Sequence, residues 1–218
     1  MNVNGSSEFV LYNDFNYNEI SKGDLSSFFF IFSVKIIAEY KILNKIFDKK
    51  QISQNGCNDF IIYIQGKPTI ISIDASFPCY SNKLFYCSHT NNSEIWLHVM
   101  EKIWAKVNYS YASSAVNGLP PEIFNIFSEA PCIEYLHTNS NSSISILWGN
   151  LLEAKLRDYV IFASPEPVGN KEDIEQYGLY SSFLYQIYDI KVELNEQILI
   201  LKNKCGIMSE SKLNSIIY

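Results

Sequence analysis

A nearly continuous apolar run, FFFIFSV at residues 28–34, limits what this chain can fold into more than any other feature. Apolar residues continue from it at helical spacing as far as Phe47, and the serines just before it can cap a helix. Because the first half of this predicted helix is apolar nearly all round, it indicates a helix buried within a domain. Lys35 and Glu39 interrupt the run well short of the roughly 18–20 apolar residues that a membrane span needs. We therefore expect no membrane-spanning segment.

The charge of the chain argues against nucleic acid as a partner. The 218 residues carry a net charge of −6, and 47% of them are apolar against 18% charged, a globular balance. Proteins that bind nucleic acid usually present a basic patch or stripe. Here the basic residues are scattered and only one of them is an arginine. We expect no nucleic-acid partner and no attraction to anionic membrane surfaces.

The cysteines and the N-terminus favour a cytoplasmic chain with reduced thiols. The chain has 5 cysteines and no CxxC pair. The N-terminal sequence MNVNGSSEF lacks the basic and apolar regions of a signal peptide, and disulfides are rare inside cells. Cys79, Cys87 and His89 fit no standard zinc spacing, so ordinary thiols are the preferred interpretation over a metal site.

Two further segments have clear periodicity. Residues 59–73 predict a hairpin, because β-forming residues lie on both sides of a turn at residues 66–68. A second helix is predicted to begin after a cap at Ser93 and to run to Val107, with an apolar stripe at helical spacing. Four residues are assigned to its polar side: His98, Glu101, Lys102 and Lys106.

The order of the predicted elements indicates an α+β fold, because helices come first and strands follow. A short helix at 121–127, a polar loop at 137–143 and a helix at 144–156 precede β-rich runs at 157–164, 184–194 and 197–206. We predict three parts, namely an irregular N-terminal arm at 1–20, a helical lobe at 21–140 and a β-rich lobe at 141–218.

No Walker loop, GxGxxG, HExxH or GxSxG motif is present. Five segments instead resemble, in order, the calpain-type cysteine peptidases. The strongest match is WLHVMEKIWAKVNYSY at 96–111, against the family's W-x-x-L-L-E-K-A-Y-A-K-L-x-G-S-Y. The others are KGDLSSFFFI at 22–31 against Q-G-x-L-G-D-C-W-F-L, IDASFPC at 73–79 against V-D-D-x-L-P-C, GLYSSFLY at 178–185 against G-L-x-x-x-H-A-Y, and LKNKCG at 201–206 against L-R-N-P-W-G. The resemblance implies a papain-like fold.

In papain-like enzymes a cysteine opens the buried helix, and a histidine and an asparagine lie on the later β lobe. The helix end and the histidine cation stabilise the thiolate. By this resemblance most of the site is substituted, and a shifted frame that puts Leu25 at the nucleophile position does not restore it. The positions are Phe28 for the nucleophile, Phe183 for the histidine, Lys22 for the oxyanion-binding glutamine, Asn203 for the retained asparagine and Cys205 for the shielding tryptophan.

These substitutions predict a catalytically inactive, calpain-like pseudoprotease. Loss of a triad nucleophile or base typically costs about 10⁶ in kcat, and phenylalanine supplies neither group. We expect Phe28 and Phe183 to pack together on the floor of a cleft that binds a protein or peptide partner. Two alternatives stay open: an active, calcium-dependent cysteine endopeptidase whose site lies in another frame, and an unrelated α+β binding domain or a decayed gene product with no function.

The resemblance also bears on calcium and on the end of the chain. Ala112 stands where the family places a calcium-binding acid, and no D-x-D-x-D-G loop exists. Glu19 and Asp24 are candidate ligands, yet we expect no strong calcium site and no other cofactor. Family cores continue with further strands after the segment at 201–206. We therefore expect a truncated second lobe, whether a fragment or a chain whose missing strands a partner supplies.

Overall fold

The computed structural model mixes helices with antiparallel sheets, which confirms the predicted α+β class. It describes residues 9–23, 28–47, 52–53, 55–80, 83–84, 86–89, 93–116, 118–135, 144–165, 179–180, 183–194, 196–202 and 216–217. The chain divides into two compact units, residues 1–132 and residues 133–218. No helix among the described residues is long and apolar enough to cross a membrane.

Helix α1 (Phe28–Glu39) is the buried helix that the apolar run predicts. It packs against helix α5 (Pro120–Ser128). Its one buried hydroxyl, on Ser33, donates a hydrogen bond to the carbonyl oxygen of Phe29 one turn earlier, at 2.8 Å, so this hydroxyl is satisfied within the helix. Side chains around its whole circumference are buried: Phe30, Ile31, Phe32, Val34, Ile36 and Ile37.

The prediction that this helix continues to Phe47 is wrong. Lys41 adopts a left-handed backbone conformation with φ 57°, which ends the α-helix, and a separate turn of helix, α2 (Leu43–Ile46), follows. The change of direction brings the ring of Phe47 to 5.3 Å from that of Phe60. Tertiary packing of the last apolar residues therefore overrides a periodicity that would continue the helix.

The described part of the N-terminal arm is irregular but docked. Val10 exchanges backbone hydrogen bonds of 2.9 and 3.1 Å with Ser93 and Ile95, just before the next long helix. Phe15 packs edge-on against Trp96 with ring centroids 5.5 Å apart. A short 3₁₀ helix at Tyr17–Glu19 then leads into the first strand. The arm is thus part of the first unit's packing.

The predicted hairpin is confirmed as strands β2 (Cys57–Ile64) and β3 (Lys67–Asp74). The turn is Gln65-Gly66 rather than the Gly-Lys-Pro step, since Lys67 already pairs with Ile64. Both turn residues have positive φ, 52° and 73°, as a two-residue type I′ hairpin requires. One face is buried through Phe60, Ile62, Ile71 and Ile73.

Two short ribbons were beyond what periodicity can predict. Strand β1 (Ile20–Lys22) pairs antiparallel with β6 (Cys87–His89), so that Lys22 lies opposite Cys87 in the register. Strand β4 (Cys79–Tyr80) pairs with β5 (Lys83–Leu84). Strands of two or three residues hold too few alternations to produce a pattern.

Helix α3 (Trp96–Val107) confirms the second long helix but not its start or its polar side. Ile95 is the N-cap, without a side-chain hydrogen bond, so the Ser93 cap is wrong. His98 and Glu101 are buried, contrary to their assignment to a solvated side. The helix packs against α4 (Tyr111–Val116), β6 and β3, which cover it from several directions.

The second unit contains helix α6 (Ile144–Leu156) and a four-stranded antiparallel sheet in the order β10-β9-β8-β7. Its strands are β7 (Phe162–Ala163), β8 (Tyr185–Glu193), β9 (Glu196–Lys202) and β10 (Ile216–Ile217). The run at 184–194 is confirmed, and the run at 197–206 is confirmed as far as residue 202, since residues 203–206 lie outside the described residues. The first run forms only two strand residues. Residues 216–217 pair with 198–199, so the chain itself covers part of the outer edge of β9. A partner that adds strands stays a prediction.

Candidate functional site

The start of helix α1 carries the residue at the predicted nucleophile position. Phe28 is its first residue and is 38% exposed. The unpaired N–H groups of a helix start stabilise a negative charge, which is why a cysteine there becomes a thiolate easily. A phenyl ring has no atom that can use this field, either as a nucleophile or as an acid.

The next residue, Phe29, is wedged between two other elements of the first unit. Its ring meets that of Trp104 edge-on, with centroids 6.2 Å apart. It also lies against Gly118, where an added Cβ would come within 2.3 Å of the ring. The indole N–H of Trp104 donates to the carbonyl oxygen of Ser114 at 3.2 Å, which holds the tryptophan in place. The start of α1 is thus packed against Trp104 of α3 and against Gly118, which lies two residues before α5.

Two lysines of α3 fasten the end of the hairpin to the helix. The ammonium of Lys102 lies 2.8 Å from the Asp74 carboxylate and donates to the carbonyl oxygens of Asp74 and Ser76 at 3.1 and 2.6 Å. One turn later, Lys106 donates to the carbonyl oxygen of Ser72 at 2.8 Å. The hydrogen bond from Lys102 holds the pKa of the Asp74 carboxyl below its usual value.

Glu101 and Cys87 form a buried pair on another side of α3. The thiol of Cys87 contacts one carboxyl oxygen at 2.8 Å, and its backbone N–H donates to the other at 3.2 Å. Burial raises the pKa of Glu101 to about 7, while the two contacts with Cys87 act in the opposite direction. The rings of Tyr86 and Tyr111 stack 4.6 Å apart. Burial raises the pKa of both phenols, and the nearby charge of Glu101 raises it further.

His98 is a second buried polar residue of α3. It packs against the ring of Phe77, with centroids 5.8 Å apart. It is therefore a core residue rather than the solvated histidine that its place in the helical pattern predicts.

In the second unit, Phe183 belongs to a small apolar cluster. It packs with Leu201 against the buried pair Leu179 and Tyr185. Its ring lies 5.7 Å from that of Tyr180. The hydroxyl of Tyr185 accepts a hydrogen bond from the backbone N–H of Tyr180 at 3.0 Å, which ties the segment before β8 to the sheet. Phe183 is thus integrated into the core at the start of β8.

The remaining predicted site residues are only partly covered by the structure. Asn203 and Cys205 lie outside the described residues, and for Lys22 only the backbone, in β1, is described. Phe28 belongs to the first unit and Phe183 to the second. Their mutual packing therefore stays a prediction.

The residues considered for calcium binding are also only partly described by the structure. Glu19 accepts a hydrogen bond from the Asn16 side chain at 2.8 Å, Ala112 lies in α4, and Asp24 is outside the described residues. Among the residues that the structure describes, no group of three or more His, Cys, Asp or Glu side chains could hold a metal ion.

Comparison with known sequences decides which family this chain belongs to. The family model described as "Calpain family cysteine protease" matches residues 2–209. The chain belongs to the calpain family. This match confirms the resemblance and the calpain protease core as the fold family. It does not report on the catalytic side chains.

Relatives in the calpain family are distant and much longer. The chain is 21% identical over 193 residues to calpain-type cysteine protease ADL1 of Oryza sativa subsp. japonica, covering 86% of this chain and 9% of that protein. It is 20% identical over 195 residues to calpain-type cysteine protease DEK1 of Arabidopsis thaliana, covering 87% and 9%. It is 25% identical over 199 residues to calpain-7 of Homo sapiens, covering 80% of this chain and 23% of that protein. The chain spans less than a quarter of the length of each of these relatives.

The calpain-like segments of the first unit contact one another in the folded chain. Asp74, from the segment at 73–79, binds Lys102 of the 96–111 helix. Phe29, from the segment at 22–31, packs on Trp104 of the same helix. The helix that carries the strongest resemblance is thus the element on which the other two segments assemble. The roles of Gly118 and of the Cys87–Glu101 pair do not follow from the sequence, because no local pattern reports a contact between residues distant in the chain.

Proposed function

We propose that this calpain-family chain is a catalytically inactive domain that binds a protein or peptide in the cytoplasm. The observation that carries the proposal is the phenylalanine that opens helix α1. A calpain-type mechanism needs a thiolate at that helix end, and a thiolate needs a cysteine. With Phe28 at that place the acyl-enzyme route has no first step.

The surroundings of Phe183 support the same proposal. A general base must exchange a proton within hydrogen-bond reach of the nucleophile. Phe183 has no exchangeable proton and packs among Leu179, Tyr185 and Leu201. The ring contributes apolar packing to this cluster and carries no group that could transfer a proton.

The described cysteines offer no evident replacement nucleophile. Cys87 is 0% exposed, so no substrate carbonyl can reach its sulfur. Partial burial raises the pKa of the Cys132 thiol, which lowers its thiolate fraction. Cys57 and Cys79 are exposed and lie on strands rather than in the first turn of a helix. The competing function, a calcium-dependent cysteine endopeptidase, would require one of these thiols or Cys205.

Turnover and thiol labelling test the proposal together. We expect the purified chain to release no fragments from casein, with or without calcium, at enzyme concentrations where an active calpain core is readily measured. An epoxysuccinyl probe, which marks catalytic cysteines, should give no adduct. Calcium-dependent cleavage that disappears when one cysteine is changed to alanine would instead establish the endopeptidase.

A cysteine placed at position 28 tests whether the helix end retains its activating field. In Phe28→Cys we expect the new thiol to react with iodoacetamide at pH 7 about tenfold faster than Cys57, because a helix N-terminus lowers a thiol pKa. Peptide-resolved mass spectrometry gives both rates from one sample.

The matched control for this experiment is Leu25→Cys, the nucleophile position of the shifted frame. Faster labelling of a cysteine at position 25 than at position 28 would assign the nucleophile position to residue 25, as in the shifted alignment. A rate at 28 no higher than that of Cys57 would remove the assignment of the nucleophile position altogether.

A further inference from the structure

The Cys87–Glu101 contact joins two elements of the first unit that have no covalent link nearby. Cys87 lies in β6, which pairs with β1, and Glu101 lies in the middle of α3. Both residues are buried, with exposed fractions of 0% and 7%. Both carboxyl oxygens are used, one by the thiol at 2.8 Å and one by the backbone N–H at 3.2 Å. Both oxygens of one carboxyl group of α3 thus contact Cys87 of the β1–β6 ribbon.

The charges around this carboxyl group are few. Lys102, the next residue in α3, is bound to Asp74. Cys87 of β6 and Tyr86, the residue before that strand, face Glu101. Tyr111 faces it from α4, and the charge of Asp74 at the end of β3 helps to raise the pKa of Tyr111, which burial raises most. Lys22 stands opposite Cys87 in the register of β1. Among the side chains that the structure describes, no lysine or arginine forms an ion pair with Glu101.

A buried carboxylate without a cation is costly, so the protonated form is favoured while the contact is made. When the ribbon separates and water reaches the carboxyl group, its pKa returns towards the ordinary value of 4.5, compared with about 7 in the closed arrangement. The closed state therefore binds an extra proton between these two values. The contribution of this proton to the stability of the closed state is fully present below about pH 4.5 and decreases as the pH rises towards 7. Above about pH 7 no further loss occurs.

We propose that Glu101 and Cys87 form a pH-sensitive latch, which holds the β1–β6 ribbon on helix α3 when the carboxyl group is protonated and loosens when it ionises. Strand β1 ends at Lys22, shortly before α1 begins at Phe28. Opening of the latch would therefore loosen the backbone that leads into the start of α1. The latch does not depend on whether the chain is catalytically active.

Labelling of Cys87 measures the opening directly, because its sulfur is inaccessible in the closed state. The rate of modification by N-ethylmaleimide is compared with that of exposed Cys57 in the same sample, so that the reagent's own pH dependence largely cancels. Applying proton linkage to the two pKa values predicts that the Cys87 to Cys57 rate ratio rises about tenfold between pH 6 and pH 8. Glu101→Gln, which keeps the size and an acceptor oxygen, should make the ratio independent of pH.

The control is Glu129→Gln, an exposed glutamate of the same unit, which should leave the rise unchanged. A flat ratio in the unchanged protein, or a rise that persists in Glu101→Gln, overturns the latch. Should Glu101→Gln fail to fold, the side-chain ¹³C titration of Glu101 in the unchanged protein decides. A Glu101 titration midpoint near pH 7, with a parallel change in the amide chemical shift of Cys87, supports the latch. A midpoint below pH 5 overturns it, and a counter-charge from Lys22 would have this effect.

Discussion

Gly118→Ala is expected to destabilise the first unit by about 1–3 kcal/mol, the usual range for overpacking. The added Cβ would lie 2.3 Å from the ring of Phe29, far inside van der Waals contact. The ring cannot move freely, because it also packs edge-on against Trp104, with ring centroids 6.2 Å apart. Phe29 must therefore leave its position, and the start of α1 loses part of its support.

Urea denaturation followed by tryptophan fluorescence measures this loss. In a Trp148→Phe background the remaining tryptophans, Trp96 and Trp104, both belong to the first unit. Gly149→Ala serves as the matched control, since an added Cβ there meets nothing within 4 Å. Because Gly149 lies in helix α6 of the second unit, that change should leave the first unit's urea transition, reported by Trp96 and Trp104, unchanged.

A double-mutant cycle identifies Phe29 as the residue responsible. In a Phe29→Leu background the smaller side chain leaves room, so Gly118→Ala should cost at least about 1 kcal/mol less than in the unchanged protein. Equal costs in both backgrounds would show that the glycine is needed for some other reason and that the contact with Phe29 is not limiting.

Lys102→Met is expected to destabilise the first unit by about 2 kcal/mol. Methionine keeps the aliphatic packing but removes an ammonium that serves the Asp74 carboxylate and two backbone carbonyl oxygens. The loss is expected in the lower part of the range for charged hydrogen bonds, since the Asp74 side chain is half exposed and water screens the pair. Lys106→Met, which removes one hydrogen bond to Ser72, should cost less than half as much.

The acid dependence of stability provides a second measurement for the same pair. Lys102 lowers the pKa of Asp74 below its ordinary 3.8, so this contribution is present above about pH 4 and is lost as the pH falls through the lowered value. The difference in urea midpoint between the unchanged protein and Lys102→Met should therefore narrow from pH 6 down to pH 2.5, and the part due to the two backbone carbonyl oxygens should remain. A difference that stays constant over this range would mean that these backbone hydrogen bonds, rather than the ion pair, explain the loss.

Helix α1 shows where sequence patterns succeed and where they stop. Its burial follows from residues that are apolar around the whole circumference, so any fold of this chain must surround it. Its end does not follow, because the helical spacing continues through Leu43 to Phe47. The left-handed conformation of Lys41 becomes favourable only when Phe47 can pack on Phe60 of the hairpin, a contact that local periodicity does not contain.

Helix α3 shows the opposite error. A polar residue at a position away from an apolar stripe is ordinarily assigned to solvent, and this rule places His98 and Glu101 outside. Both are buried, because α4, β6 and β3 cover the helix from several sides. The periodicity reports one apolar face correctly but cannot report that the remaining faces are also covered.

By itself the sequence determined the buried helix, the hairpin, the α+β order and the resemblance to calpains, because each depends on residues that are neighbours in the chain or on short patterns. It also determined that positions 28 and 183 carry phenyl rings, since that is a matter of residue identity. Only the tertiary structure decided that Gly118 must lack a side chain, that Lys102 fastens the hairpin, and that Glu101 is buried against Cys87. These are contacts between residues 14 or more positions apart, and their energy arises only when folding excludes water from between them.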